Sequence, residues 1–162
     1  MAHIRIWLAT SLLVVTISAS QFAKGAEPPA DLCSLLPAGE VSKILGQTYG
    51  APEKSVAPRP YANTATGTDC RYSSKNSKLW FRAYVDPSAS AAGELFAKLK
   101  IFYSPPTPVA GIGDEAYFDR DHAIHVRKGK VRYYLNLSPI NTFTPEIEKE
   151  IKDLAIKVAG QL

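Results

Sequence analysis

The sequence contains no apolar run long enough to cross a bilayer. Its longest greasy stretch, Ile6 to Ile17, would span roughly 18 Å as a helix, against about 30 Å of hydrocarbon. Cysteine is scarce, with only Cys33 and Cys70, and two cysteines so far apart make a poor zinc site without nearby partners. No G-x-S-x-G motif marks a nucleophile, and no repeat of fixed period is visible. Charge of one sign is weak too. The formal net charge is +4, and Arg5 and Lys24 near the start carry two of those charges. Nucleic-acid binding wants a concentrated basic face, so no nucleic-acid partner is expected.

What remains is ordinary globular material, with 46 % hydrophobic and 21 % charged residues in a length that suits one domain. The N-terminus departs from this. Arg5 precedes the apolar run, and small residues follow at Ser18, Ala19 and Ser20 and again at Ala23, Gly25 and Ala26. That is the layout of a cleavable secretory signal. The expected organisation is a signal peptide over 1–26, a linker over 27–30 and a single domain over 31–162. The expected location is periplasmic or secreted, with no integral membrane segment after cleavage. Cys33 follows Leu32 and lies well beyond Ile17, so it is not placed for lipid attachment. In an oxidising compartment the two cysteines are expected to pair. The bridge would close a loop of about 38 residues, worth about 4 kcal/mol in the chain-entropy account. Free thiols and metal ligation are the alternatives.

Hydrophobic spacing and turn residues predict the elements. Asp31 to Leu36 suits one helical turn. Pro37 to Leu45 suits a short helix, with Val41, Ile44 and Leu45 on one face and Gly46 as its stop. A strand is allowed over Thr48 to Val56, and Ala57 to Gly67 is expected to be loop. Asp69 to Ser73 and Lys78 to Val85 form a strand pair. In the second, Leu79, Phe81, Ala83 and Val85 alternate with Trp80, Arg82 and Tyr84. Ser88 to Phe102 is a helix whose face is Ala92, Leu95, Phe96, Leu99 and Phe102. Pro108 to Gly113 is a loop. Three strands follow: Glu115 to Phe118, Ala123 to Arg127 and Lys130 to Leu137, with Lys128-Gly129 as a hairpin turn. Thr144 and Pro145 open a last helix with an apolar stripe from Ile147 to Leu162. Glu148 with Lys152, and Asp153 with Lys157, are expected i, i+4 pairs. The fold class expected is α+β: an antiparallel β-sheet with helices packed on one face and one disulfide.

Three features bear on chemistry. Gly111-Ile112-Gly113-Asp114-Glu115-Ala116 matches G-x-G-x-x-A, but no strand–turn–helix unit surrounds it, so a tight turn is expected and no cofactor. Asp119, Asp121 and His122 form the only cluster with metal-ligand chemistry, beside His125. His122 and His125 lie an odd number apart on a strand and so face opposite sides. A polar hairpin turn is the expected role, and a metal-dependent or other hydrolase built on that cluster is the alternative. The third feature is an aromatic and basic stripe: Trp80, Arg82 and Tyr84 on one strand, Arg132 and Tyr134 on another. If the strands are neighbours, these five offer one surface for an envelope protein or a glycan. A second core layer with snorkelling arginines is the plainer account.

Three runs carry a resemblance. Asp31-Leu32-Cys33-Ser34-Leu35-Leu36 precedes a helix with Glu40-Val41 and Leu45-Gly46. Asp69-Cys70-Arg71-Tyr72 follows, and then Val109 to Tyr117. Together these resemble a group of bacterial secreted proteins and lipoproteins of unknown function, common in actinobacteria, over about residues 31–162 of this chain. The resemblance implies the Cys33–Cys70 bridge and an α+β fold, and it implies no activity. The lipid-attachment cysteine of the lipoprotein members is absent here. The function expected is therefore a non-catalytic periplasmic or secreted binding or accessory module.

Overall fold

The computed structural model describes residues 27–62, 64–139 and 142–162. The leader expected over 1–26 lies outside them. A 3-10 turn, Leu32–Leu35, is followed by α1 (Ala38–Ile44), β1 (Glu53–Ala57), β2 (Gly67–Ser73) and β3 (Lys78–Val85). Next come α2 (Ala89–Phe102), β4 (Thr107–Val109), β5 (Glu115–Phe118), β6 (Ile124–Lys128), β7 (Val131–Ser138) and α3 (Pro145–Ala159). The strands form one antiparallel sheet in the order β1-β2-β3-β7-β6-β5-β4. Central strands β3 and β7 pair along their whole length, from Lys78 opposite Ser138 to Val85 opposite Val131. The α+β class, the antiparallel sheet and the disulfide are as the sequence led one to expect. Among the described residues no helix is long and apolar enough to cross a membrane.

Alternation along the strands sorts side chains to two faces. One face carries Leu79, Phe81, Ala83, Ile124, Val126, Tyr133 and Leu135, all buried. The 3-10 turn, α1 and α3 cover it, and α3 contributes Ile151, Leu154, Ala155 and Val158 to the same core. Cys33 and Cys70 are bonded, with their Cα atoms 5.8 Å apart, which pins the 3-10 turn to β2. The Tyr72 hydroxyl donates to the Leu36 carbonyl beside that bridge, and the Tyr133 hydroxyl donates to Ala155 O at 2.6 Å. The start of α3 is as expected: the Thr144 side chain accepts from Ile147 N at 3.3 Å, and Pro145 takes the first position.

Helix placement refines the expectation of helices on one face. Only α1, α3 and the 3-10 turn share a face. The second helix, α2, packs on the other, where Phe96 meets Tyr117 edge-on at 5.1 Å. An apolar stripe says that a helix packs; the strand connections decide on which side. Tyr103, the residue that caps the end of α2, continues the middle of that stripe one turn after Leu99, whereas Phe102 falls at its margin and is 72 % exposed. Lys152 pairs with Glu148 as expected. Asp153 instead takes Lys149, at 2.6 Å, and Lys157 reaches across to Glu40 on α1, at 3.3 Å. The β6–β7 turn is Gly129-Lys130, one residue later than expected, because Lys128 still pairs with Val131. A short edge strand, β4, lies in the segment expected to be loop; Pro108 at its centre hid it.

Candidate functional site

The face away from α3 is built from one cross-strand row. Asp69 on β2 stands opposite Arg82 on β3, Arg82 opposite Tyr134 on β7, Tyr134 opposite His125 on β6, and His125 opposite Tyr117 on β5. Directly opposed side chains in a sheet are each other's closest neighbours, so the register dictates the chemistry of this row. Asp69 Oδ2 accepts from Arg82 at 2.9 Å. The Arg82 guanidinium lies 5.2 Å from the centre of the Tyr134 ring. The Tyr134 and His125 rings stack at 5.5 Å, and His125 and Tyr117 stack at 4.8 Å, only 7° from parallel. Lys100 of α2 sits over the far side of Tyr117, at 5.9 Å. The result is a column of three aromatic rings with a cation at each end, an arrangement that ring quadrupoles favour.

His125 is the centre of that column. Its Nε2 meets Asp119 Oδ2 at 2.8 Å, and Tyr103 from α2 closes over it at 4.9 Å. The other oxygen of Asp119 accepts from the backbone N–H groups of Asp121 and Ala123, at 2.9 and 3.0 Å. Burial raises the Asp119 pKa, but the hydrogen bond and charge of His125, with those two N–H groups, outweigh burial and hold it below the ordinary carboxylate value. Burial pushes the Tyr134 phenol up to about 12, against the opposing pull of Arg82. Tyr117 is pushed up as well, by burial first and by the nearby Asp119 second.

A groove lies along this row. Its middle section, about 360 Å³, is bounded by Trp80, Arg82, Tyr103, His125, Tyr134 and buried Asp119, together with exposed Asp121. A smaller section of about 190 Å³ shares Arg82, Tyr103, His125 and Tyr134 and ends under Arg59 and Tyr84. In the other direction, Trp80 and Ser138 are shared with a section of about 360 Å³ beside the 74–77 turn. That turn is held firmly. Ser74 donates to Gln47 Oε1, and Gln47 Nε2 donates to Ser77 Oγ, both at 2.8 Å.

The residues singled out from sequence divide three ways. Trp80, Arg82 and Tyr134 line the groove together. Tyr84 closes one end, lying on Gly67, where a Cβ would come within 2.6 Å of its ring; its hydroxyl donates to Pro58 O at 2.8 Å. Arg132 is buried and takes no part in the surface. It binds both oxygens of Asp86, at 2.5 and 3.0 Å, beneath the Tyr84 ring. Asp119 and Asp121 reach the groove, but His122 does not: its ring stacks on Phe143 at 4.1 Å. The described residues hold no group of three or more His, Cys, Asp or Glu side chains arranged to bind a metal. Tyr103 and Tyr117 are the residues that sequence reading passed over, and His125, weighed there only beside the acidic cluster, is buried at the centre of the row. Alternation was the available signal for His125. With Ile124 and Val126 in the core, the residue between them must face the other side.

The G-x-G-x-x-A segment is structural. Gly113 has φ +61°, and a Cβ there would stand 2.5 Å from the Arg127 carbonyl. Asp114 N donates to that carbonyl at 2.8 Å. The Asp114 carboxylate accepts from Gly129 N and from Arg127, at 2.7 and 2.8 Å. The motif clamps the β6–β7 turn.

No family model matches the sequence, and no curated protein matches it. Among solved structures, the chain is similar to the extracellular domain of PknH from Mycobacterium tuberculosis, with a TM-score of 0.49 and 14 % identity over 83 % of this chain and 98 % of that one.

Proposed function

We propose that this chain is an exported, non-catalytic binding module that takes its ligand in the groove over the Arg82–Tyr134–His125 row. One observation carries the reading: a concave face lined by aromatic rings and ionisable side chains, left open where the opposite face is sealed by two helices. Binding sites combine apolar walls with a few convergent polar groups, and Trp80, Tyr103 and Tyr134 with Arg82 and Asp121 supply both.

The arrangement around His125 favours binding over reaction. Among the described residues its hydrogen bond is to Asp119, and no hydroxyl or thiol is held against it as an activated nucleophile needs to be. Both cysteines are consumed in the bridge. The rival hydrolase needs His122 beside Asp119 and Asp121, and His122 lies on Phe143 instead. Export is supported by the same buried bridge, since disulfides persist in oxidising compartments. It is also the feature that the resemblance to secreted proteins led one to expect.

Two measurements test the reading. A photo-crosslinking residue at Asn136, in the groove wall, should capture an envelope component that the same residue at exposed Ile156 on α3 does not. Equal capture from both positions counts against the groove. Alkylation of the exported protein without reductant should label neither cysteine; two labelled thiols would remove the case for an oxidising location.

A further inference from the structure

The three groove sections are not chemically alike, and their differences narrow the ligand. The backbone of β3 and β7 is committed to its own ladder, so on the groove floor recognition falls to side chains. An extended peptide is read by main-chain hydrogen bonds at a sheet edge, and the β3–β7 floor of this groove is not an edge. What it offers is flat aromatic surface and small polar groups. Trp80 and Tyr134 are diagonal neighbours on adjacent strands, roughly 7–8 Å apart at the backbone, and Tyr103 faces Tyr134 across the groove floor. Asn76, Asn136 and Ser138 have side chains without a hydrogen-bonding partner among the described residues. Rings to stack on, with amides and hydroxyls between them, suit sugar rings and their hydroxyls.

Charge adds a second restriction. Lys75 and Lys78 stand at one end of the groove and Arg59 at the other, and none of the three is in an ion pair with a described residue. Asp119 is used by His125, and Asp69 by Arg82. Asp121 is then the one groove carboxylate left to accept from ligand hydroxyls. Cations outnumber free carboxylates, and they sit at the ends.

We infer that the groove takes a linear acidic glycan, with sugar rings on Trp80 and Tyr103 and carboxylates against Lys75, Lys78 and Arg59. This rests on the groove being the binding site. Trp80 and Trp7 are the two tryptophans of the chain. In a Trp7→Phe chain, therefore, indole emission comes from Trp80 alone and reports on the groove directly. The test titrates that chain with hexagalacturonate, with neutral maltohexaose and with hexaglutamate. The expected result is a saturable change in Trp80 emission with the oligouronate, at least about tenfold tighter than with either of the others. Lys75→Gln/Lys78→Gln, both exposed positions, should weaken it by about tenfold and flatten its salt dependence. Equal response to hexaglutamate overturns the glycan and leaves the groove as a charge-reading site. Equal response to maltohexaose overturns the acidic class. No response to any probe, while Asn136 still captures its envelope component, overturns the glycan and keeps the groove. No response together with no capture removes both.

Discussion

Phe81 and Arg82 are consecutive residues of β3 and live in different worlds. Phe81 enters a core closed by α1, α3 and a disulfide-pinned turn, where every neighbouring sheet residue is apolar or, like Tyr133, has its one polar atom satisfied. Arg82 enters a row of carboxylate, phenol and imidazole that α2 covers only in part. Among the described residues, buried polar atoms without a protein partner gather on this second face: Asp69 Oδ1, Arg82 Nε and the Tyr117 hydroxyl. A buried polar group is costly to leave without a partner, and the sealed face holds no such atom among the described residues. The comparison teaches that one side of the sheet carries the fold and the other carries the chemistry.

The sharpest test of that division is on the sealed side. Phe81→Ala should cost about 4 kcal/mol, because it empties a site walled by Tyr133 and α3. Urea unfolding measures it, and a loss of under about 1 kcal/mol would show that the core is not where we place it. Next in size is the ion pair that breaks the pattern. Asp86 and Arg132 are both 3 % exposed, on the open face but outside the groove. Asp86→Ala leaves a buried guanidinium unpaired and should cost about 3 kcal/mol. Asp86→Ala with Arg132→Met should cost less than Asp86→Ala alone. If the double change costs more, the pair is a net stabiliser and not merely a satisfied necessity.

Much of this was legible in the residues, because strand alternation is a local property. Leu79, Phe81 and Ala83 against Trp80, Arg82 and Tyr84 needs only a period of two, and α3 announces itself through Thr144, Pro145 and its stripe. What was not legible depends on which strand lies beside which. The pairing of β3 with β7 brings Trp80, Arg82 and Tyr134 together, and that of β7 with β6 adds His125; neither pairing is written in any one segment. Arg132 misled for the same reason. It alternates with Tyr134 onto the open face, but Asp86, just past the end of β3, buries it. The groove itself needed α2 on the unexpected face, since Tyr103 forms its far wall.

A smaller effect separates the two faces by pH. The Asp119 pKa is lowered in the folded protein, so the unfolded chain binds the proton more readily. Stability from this group is complete above the ordinary value of 3.8 and is lost as pH falls through the lower folded value. Asp119→Asn removes that component, so the variant should lose less stability on acidification from about pH 5 to 3 than the native chain does. Urea midpoints across that range decide it. Identical slopes would mean that the Asp119–His125 contact contributes nothing to holding the open face.

Smallest of all should be the effect of Trp80→Ala on the fold. Trp80 is half-buried, and its ring lies against the groove and not against α3, so its loss should lower stability by about 1 kcal/mol or less. Its neighbour Phe81, one residue along the same strand, should cost several times more. The two substitutions remove large rings from the same backbone, a single peptide unit apart, so differences in strand propensity cannot explain the gap. Ligand binding, read by titration calorimetry so that Trp80 is not the reporter, should follow the opposite order, abolished in the Trp80 variant and kept by whatever fraction of the Phe81 variant still folds. A crossed result of that kind ties stability to one face and recognition to the other. Parallel losses in both measurements would mean that the sheet works as a single unit and that the groove is only the unfinished side of its core.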